Sequence, residues 1–205
     1  MHHPATKRRR SLLLAVAPLA LVLAAGCGTD TDSDTRATPS ATEHNDADVA
    51  FATDMVQHHA QALAMVNLTT GRTVGPEFTA LAERILEAQG PEIETMVDWL
   101  DEWGEEVPET VNDHMNHDMG TVPEGTEDMP GMMSANEMDE LENAPDAEFE
   151  KLWLEMMTRH HEGAVEMAKA EEDDGQYKPA IDLAQAIISS QRAEIDEMKD
   201  LLAAP

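Results

Sequence analysis

The sequence predicts an all-α protein: a four-helix bundle made of two duplicated helical hairpins. Its 205 residues include only three Phe, three Trp and one Tyr but 14 Met, which suits packed helices better than a β-sandwich. A segment also recurs, without gaps, at an offset of 102 residues. Two such hairpins bury their apolar faces best as a bundle with approximate two-fold symmetry. The matching positions include His58 and His160, His59 and His161, Met55 and Met157, Met65 and Met167, Gln89 and Gln191, and Glu92 and Glu194.

Local signals place the two helices of the first hairpin, residues 46–104. Apolar residues recur at helical spacing from about 46 to 69, and Gly71 suits the exit from that helix. Pro76 favours the start of a second helix, because proline is tolerated in the first turn. Pro91 predicts a kink in this helix rather than a break, since the apolar register continues past it.

A linker and a second hairpin follow. Repeated Pro and Gly predict an irregular Met/His-rich linker over 105–145, which contains one short helix. Ser134 with Glu137 three residues later is a capping-box signal for that helix, which we expect to reach about Asn143. The second hairpin, 146–205, is predicted to contain a helix to about 172 and another from Pro179 to about 203.

The N-terminal region resembles a bacterial lipoprotein signal. Residues 7–10 are basic, 11–25 are mostly apolar, and small residues lead up to Cys27, the only cysteine. The apolar run is too short for a membrane-spanning helix of about 20 residues. We therefore expect a signal peptide over 1–26, a lipid anchor on Cys27, a flexible tether over 27–45, and an extracytoplasmic protein held at the cell membrane. An ordinary signal peptide with an incidental cysteine is the alternative.

The chain is strongly acidic, with 42 acidic against 13 basic residues and a net charge of −29. Such a field repels nucleic acid, so no nucleic-acid partner is expected, and it concentrates cations near the protein. Acidity alone also keeps an exported protein soluble, so charge permits cation binding without establishing it. The acidic residues of the third long helix, among them Glu166, Glu171 and Glu172, are predicted to form a solvated face.

Both hairpins carry the pattern M-x-x-H-H-x-x-A-x-x-M, over residues 55–65 and 157–167. Imidazole accepts either oxidation state of copper and soft thioether favours Cu(I), so this donor set predicts a copper ion as ligand. The candidate ligands are His58, His59, His160, His161, Met55, Met65, Met157 and Met167. The linker offers the same donors without a fixed geometry, through His114, Met115, His117, Met119, Met132 and Met133.

Packing is the alternative to metal binding at each position. Methionine at helical spacing commonly fills a core, and a single core histidine is commonly hydrogen-bonded rather than metallated. Four histidines in two equivalent pairs are harder to explain in this way, because each buried imidazole needs a polar partner where a plain bundle would use leucine.

Enzymatic chemistry is not predicted. A di-iron carboxylate bundle needs Glu-x-x-His motifs, yet Met55, Val56, Met157 and Thr158 stand three residues before the four histidines. The sequence contains no nucleophile-base arrangement or phosphate loop either. The alternatives to a copper-binding lipoprotein are a scaffold or interaction lipoprotein whose histidines form a polar core and, less favoured, a metal-dependent oxidase. Homo-oligomerisation is left open.

Several stretches resemble the domain-of-unknown-function family 305. They are Met55-Val56-x-His58-His59, Gln89-x-x-Glu92-Ile93-x-x-Met96, Gly131-Met132-Met133-Ser134 and Met157-x-x-His160-His161-Glu162-Gly163-Ala164. The resemblance covers about residues 46–203 and implies a ferritin-like bundle in exported proteins, some of them similar to copper-binding and copper-tolerance proteins of the cell envelope. By that resemblance the four histidines and flanking methionines would be the ligands. The first copy departs from the pattern, with Ala60-Gln61 where the second has Glu162-Gly163 and with Gly90-Pro91 in its second helix. If only one copy binds well, we expect it to be the second.

Overall fold

Five helices make up the part of the chain that the computed structural model describes, residues 38–109 and 128–204. They are α1 (Asp46–Asn67), α2 (Pro76–Trp103), α3 (Ala135–Asn143), α4 (Asp146–Asp174) and α5 (Lys178–Ala203). Helix α1 packs on α2 and α4 packs on α5, while α1 and α4 form most of the contact between the two hairpins. The predicted all-α bundle is confirmed. No helix among those described is long and apolar enough to span a bilayer.

The helix ends follow from local chemistry. The Asn45 side chain accepts from the backbone N–H of Ala47 (2.9 Å) and Asp48 (3.1 Å), and Asp48 accepts from the Asn45 N–H at 2.7 Å. This capping box satisfies N–H groups that the first turn of α1 cannot pair internally. The predicted capping box of Ser134 and Glu137 at the start of α3 is also present.

Helix α2 continues through Pro91 without a break, as the sequence predicts. Gly90 explains this locally, because a Cβ on the residue before a proline would crowd the proline ring in the helical conformation. A Cβ at Gly90 would contact no other part of the described fold. The missing Cβ therefore matters for the helical backbone before Pro91 and not for packing. The helix ends at Gly104, whose φ of 76° is accessible to glycine at little cost.

Aromatic residues fill the core at one end of the bundle. Phe78 of α2 packs edge-on against Trp153 and Phe149 of α4, with ring centroids 4.8 and 6.5 Å apart. All three side chains are fully buried. The Trp153 indole N–H donates to the backbone carbonyl of Met65 at 2.9 Å, so its polar atom is paired and α4 is fixed against α1.

The end of the expected tether is attached to the bundle. The Ser40 N–H donates to the Gln176 carbonyl and the Lys178 N–H donates to the Ser40 carbonyl, both at 2.7 Å. The His44 ring stacks on Trp103 with centroids 4.4 Å apart. Residues 38–45 therefore lie along the turn between α4 and α5, and N-terminal residues before them are outside the described chain.

The end of the expected linker is also part of the bundle. Residues 128–134, hereafter the strap, cross between α1 and α4 before α3 begins. Met132 and Met133 within it are buried. The irregular linker therefore ends in a segment that is anchored in the bundle by two buried methionines.

Candidate metal centre

Two histidines meet where the hairpins join. His58 of α1 and His160 of α4 are fully buried, and their ring centroids lie 3.7 Å apart at an interplanar angle of 36°. Burial, aided by the nearby His59, lowers the pKa of His58 to about 3. Burial and the nearby His58 lower the pKa of His160 well below its usual value. Both rings are therefore neutral at physiological pH and keep a nitrogen lone pair for binding.

The adjacent histidines point to the outer helices. The Nε2 of His59 lies 2.7 Å from Oε2 of Glu92 on α2, and the Nε2 of His161 lies 2.7 Å from Oε2 of Glu194 on α5. Consecutive helical residues are about 100° apart, which explains how one histidine of each pair faces the opposite hairpin while the next faces its own partner helix. The repeat thus produces two equivalent interhelical His–Glu pairs.

Many polar atoms around these rings have no hydrogen-bond partner within the described chain, although they are buried. An unpaired buried polar group costs about 1–3 kcal/mol. Water or a bound ion would relieve that cost, and neutral imidazole nitrogens are donors that copper accepts. The donor set therefore fits a copper ion. The unpaired atoms are Nδ1 of His58, His59 and His161, both ring nitrogens of His160, both amide atoms of Gln89 and Oε1 of Gln191.

The methionines of the two copies are placed differently. Met55, Met65 and Met157 are fully buried in the core. Met167 is only partly buried and lines a surface cavity between α1 and α4 together with Asp54 and Glu171. The repeat therefore does not place the sulfur atoms of these four methionines in equivalent surroundings.

The strap covers the meeting point of the histidines. The Nε2–H of His58 donates to the carbonyl of Pro130 at 3.0 Å. Gln61 of α1 holds the backbone of Met133 on both sides, donating to its carbonyl at 2.8 Å and accepting from its N–H at 2.7 Å. On α4, the Arg159 guanidinium lies 2.7 Å from the Met133 sulfur.

The strap also explains the position at which the two copies differ. Gln61 of the first copy corresponds to Gly163 of the second. A Cβ at Gly163 would lie 2.0 Å from the Pro130 carbonyl oxygen, so only glycine leaves room for the strap. One copy thus binds the strap and the other makes space for it. The sequence contains this mismatch, but neighbouring positions of the two copies differ as well, so the structure was needed to single it out.

Glu171 corrects one prediction. It was expected on a solvated face, yet it is only 2% exposed and lies at the C-terminal end of α4 beside Asp48. Burial, together with the nearby carboxylates of Asp48 and Asp174, raises the pKa of Glu171 to about 9. Asp48 in turn accepts from the backbone N–H groups of Gln176 (3.0 Å) and Tyr177 (2.8 Å). The acidic run therefore contains one buried acid, and Asp48 beside it ties α1 to the α4–α5 turn.

The described residues do not include every predicted ligand. The candidate ligands His114, Met115, His117 and Met119 lie outside them, and so does Cys27, the predicted lipidation site. Within residues 38–109 and 128–204, no three His, Cys, Asp or Glu side chains are grouped so as to hold a metal ion. The core histidines therefore supply candidate nitrogen donors but not a complete set of such ligands.

The fold and the site together define a class of helical protein: a bundle of two repeated hairpins with neutral histidine pairs buried at their junction. The model of the domain of unknown function DUF305 matches residues 48–202. The chain belongs to the DUF305 family. No curated protein matches it at a significant level of similarity.

Solved structures with the same fold include two family members. A Streptomyces coelicolor DUF305 protein, described as secreted, is 34% identical with a TM-score of 0.65, over 77% of this chain and 92% of that one. A Deinococcus radiodurans DUF305 fragment is 30% identical with a TM-score of 0.66, over 78% and 97%.

A third similar structure is that of CopM in its Cu(II)-bound form. It is 28% identical with a TM-score of 0.61, over 76% of this chain and 95% of that one. CopM structures in Cu(I)-bound and Ag-bound forms are also similar to this chain.

Proposed function

We propose that this chain is an exported copper-binding protein that buffers copper in the cell envelope, and that its core histidines supply the nitrogen ligands. The observation that carries the proposal is the convergence of His58 and His160 from two repeated hairpins, with neutral rings and unpaired nitrogens. The similarity to CopM, which has copper- and silver-bound forms, supports the same function.

A soft metal fits the donors better than a hard one. Because no three His, Cys, Asp or Glu side chains of the described residues are grouped to hold a metal, a site here would need methionine sulfur besides imidazole nitrogen, or a shift of the rings. Met55 and Met157 precede the two histidine pairs and are fully buried. Thioether sulfur selects Cu(I) among the common metals of the cell.

The cellular setting belongs to the same proposal. A lipid on Cys27 would hold the protein on the extracytoplasmic face of the cell membrane, and the secreted relative supports export. His114, Met115, His117 and Met119 would form a capture arm of lower affinity, and the acidic surface would raise the local concentration of cations.

The proposal is tested by anaerobic Cu(I) titration with elemental analysis of the wild type and of His160→Ala/His161→Ala. The double variant should bind less copper under both reducing and oxidising conditions. His160→Gln, which keeps a polar group of similar size in the core, guards against a variant that merely unfolds. His44→Ala is the matched control, because that ring stacks on Trp103 outside the core. Unchanged copper stoichiometry in a folded His160 variant would remove the core from the proposal.

A scaffold lipoprotein with a polar histidine core is the second candidate. The absence of a complete His, Cys, Asp or Glu group within the described residues favours it. The two candidates differ in thermal stability, because a ligand that binds only the folded state raises Tm by mass action. At one hundred times Kd this stabilisation is about 2.7 kcal/mol, whereas a scaffold would show no rise in Tm with added copper.

Our proposal includes no catalytic step. A metal-dependent oxidase would instead consume oxygen steadily when the copper-loaded protein is given a reductant. We expect no consumption above that of the same amount of free copper with a competing chelator.

A further inference from the structure

The two interhelical His–Glu pairs have the same geometry in both hairpins. Each joins a fully buried histidine to a glutamate near the surface, with side-chain exposures of 19% for Glu92 and 14% for Glu194. The Nε2–Oε2 distance is 2.7 Å in both. A plain bundle would pair such positions with aliphatic residues, so the repeated pair calls for a role.

The glutamate in each His–Glu pair determines which nitrogen of the histidine ring carries the proton and which keeps a lone pair. An ionised carboxylate only accepts hydrogen bonds, so the Nε2 of His59 and of His161 must carry the proton. In a neutral ring Nδ1 is then the lone-pair atom. Both Nδ1 atoms are buried and unpaired within the described chain. They therefore remain available on the side of the ring away from the glutamate.

We propose that Glu92 and Glu194 are positioning residues that hold His59 and His161 as Nε2–H tautomers and so select Nδ1 as the metal-binding atom. The inference rests on the proposed copper-binding function. A carboxylate behind a metal-binding imidazole fixes the ring orientation and increases the basicity of the bound nitrogen. The two carboxylates themselves contact no metal in this arrangement.

The other two histidines are held differently. His58 Nε2–H donates to the neutral Pro130 carbonyl, which also leaves Nδ1 free. Within the described residues neither ring nitrogen of His160 makes a hydrogen bond of good geometry, although the His58 backbone lies nearby. Loss of Glu92 should therefore change the tautomer of His59 alone, and loss of Glu194 that of His161 alone, which makes each effect traceable to one ring.

The test combines a metal-free measurement with a binding measurement on the full chain. Long-range ¹H–¹⁵N NMR of the metal-free protein should show His59 and His161 as Nε2–H tautomers. Glu92→Leu should convert His59 to a mixture of tautomers and weaken Ag(I) or Cu(I) binding by about 10- to 100-fold. Glu92→Gln keeps an oxygen acceptor, so it should restore the tautomer and recover part of the affinity. Glu194→Leu and Glu194→Gln should do the same to His161.

Glu94→Leu is the matched control, because Glu94 lies one position beyond Ile93 on the same helix and is exposed. It should alter neither the spectrum nor the affinity. Full affinity in folded Glu92→Leu and Glu194→Leu would overturn the positioning role while leaving the copper proposal standing. A wild-type spectrum that shows His59 and His161 as Nδ1–H tautomers or as doubly protonated rings would also overturn the positioning role. A wild type that binds neither Ag(I) nor Cu(I) would instead overturn the proposed function, and the inference with it.

Discussion

Glu171 is the residue whose protonation the fold constrains most clearly. Its pKa of about 9 exceeds the ordinary value of 4.5, chiefly because of burial and then because of Asp48. Between these two pH values the unfolded chain has released the proton and the folded chain still binds it. The contribution of Glu171 to stability must therefore fall as pH rises from about 4.5 to 9, and it is fully present only at the acidic end.

Glu171→Gln should remove this pH dependence, because the amide stays neutral at every pH. We expect its Tm at pH 8 to exceed that of the wild type by on the order of 5 °C, with the difference disappearing near pH 4.5. Thermal unfolding followed by circular dichroism across pH 4.5–9 measures this. Glu166→Gln, an exposed change on the same helix, should track the wild type. A Glu171→Gln variant less stable than the wild type at pH 8 would mean that the carboxylate is ionised in the fold.

The repeat made the positions of some residues predictable from the sequence. The offset paired His58 with His160 and Glu92 with Glu194, and the structure places the first two in contact and gives both glutamates the same partner type. The burial of Glu171 was not predictable, because a run of acids has the composition of a solvated helix face. Its burial depends on the approach of Asp48 from a distant part of the chain.

Among the elements, the strap is positioned by tertiary contacts, with one local turn bond from the Met132 N–H to the Met129 carbonyl. It has no helical periodicity, and its position depends on the Gln61 side chain and on the missing Cβ of Gly163. The five helices, in contrast, carried local signals such as apolar periodicity, a proline in the first turn or a capping box, and they were predictable to within a few residues. The strap was not, since nothing local distinguishes it from the rest of a Pro- and Gly-rich linker.

Gly163→Ala should displace the strap. In an open helix this change stabilises by about 0.5–1 kcal/mol, but here the new Cβ would lie 2.0 Å from the Pro130 oxygen. We expect a net loss of about 1–3 kcal/mol in the free energy of unfolding, measured by urea denaturation. Glu166→Ala, on the exposed side of the same helix, supplies the control without the clash.

The same variant has a local readout. His58 should lose the carbonyl partner that holds its Nε2–H, so its ring ¹⁵N shifts should change while those of His59 and His161 do not. An unchanged His58 signal together with unchanged stability would show that the strap moves aside without cost.

For the whole molecule, the described bundle and the His/Met linker can be separated experimentally. Replacing His114, Met115, His117 and Met119 with serine should lower copper stoichiometry, because it removes four candidate donors. The Tm of the metal-free protein should stay within about 2 °C of the wild type. Elemental analysis and calorimetry measure the two effects. Equal copper stoichiometry in this variant would confine binding to the bundle.

The linker donors are replaced and not deleted because of where the linker ends and the packed strap begins. A deletion running to residue 133 would also remove the strap, so lost copper could not be assigned to the linker donors. Substitution at positions 114–119 avoids this. The overall architecture followed from the repeat, whereas this boundary could be drawn only once the contacts of Met133 and Pro130 were known.

The bonds of Ser40 to Gln176 and Lys178 give the molecule a definite attachment point. Twelve residues separate Cys27 from Ser40, and the fully extended chain between these two residues spans about 45 Å. A lipid on Cys27 would therefore keep the α4–α5 turn within about 45 Å of the bilayer. Helix α1 starts at this end and its 22 residues extend about 33 Å. The α1–α2 turn lies at the opposite end of α1, so it would be the part of the first hairpin able to extend farthest from the bilayer.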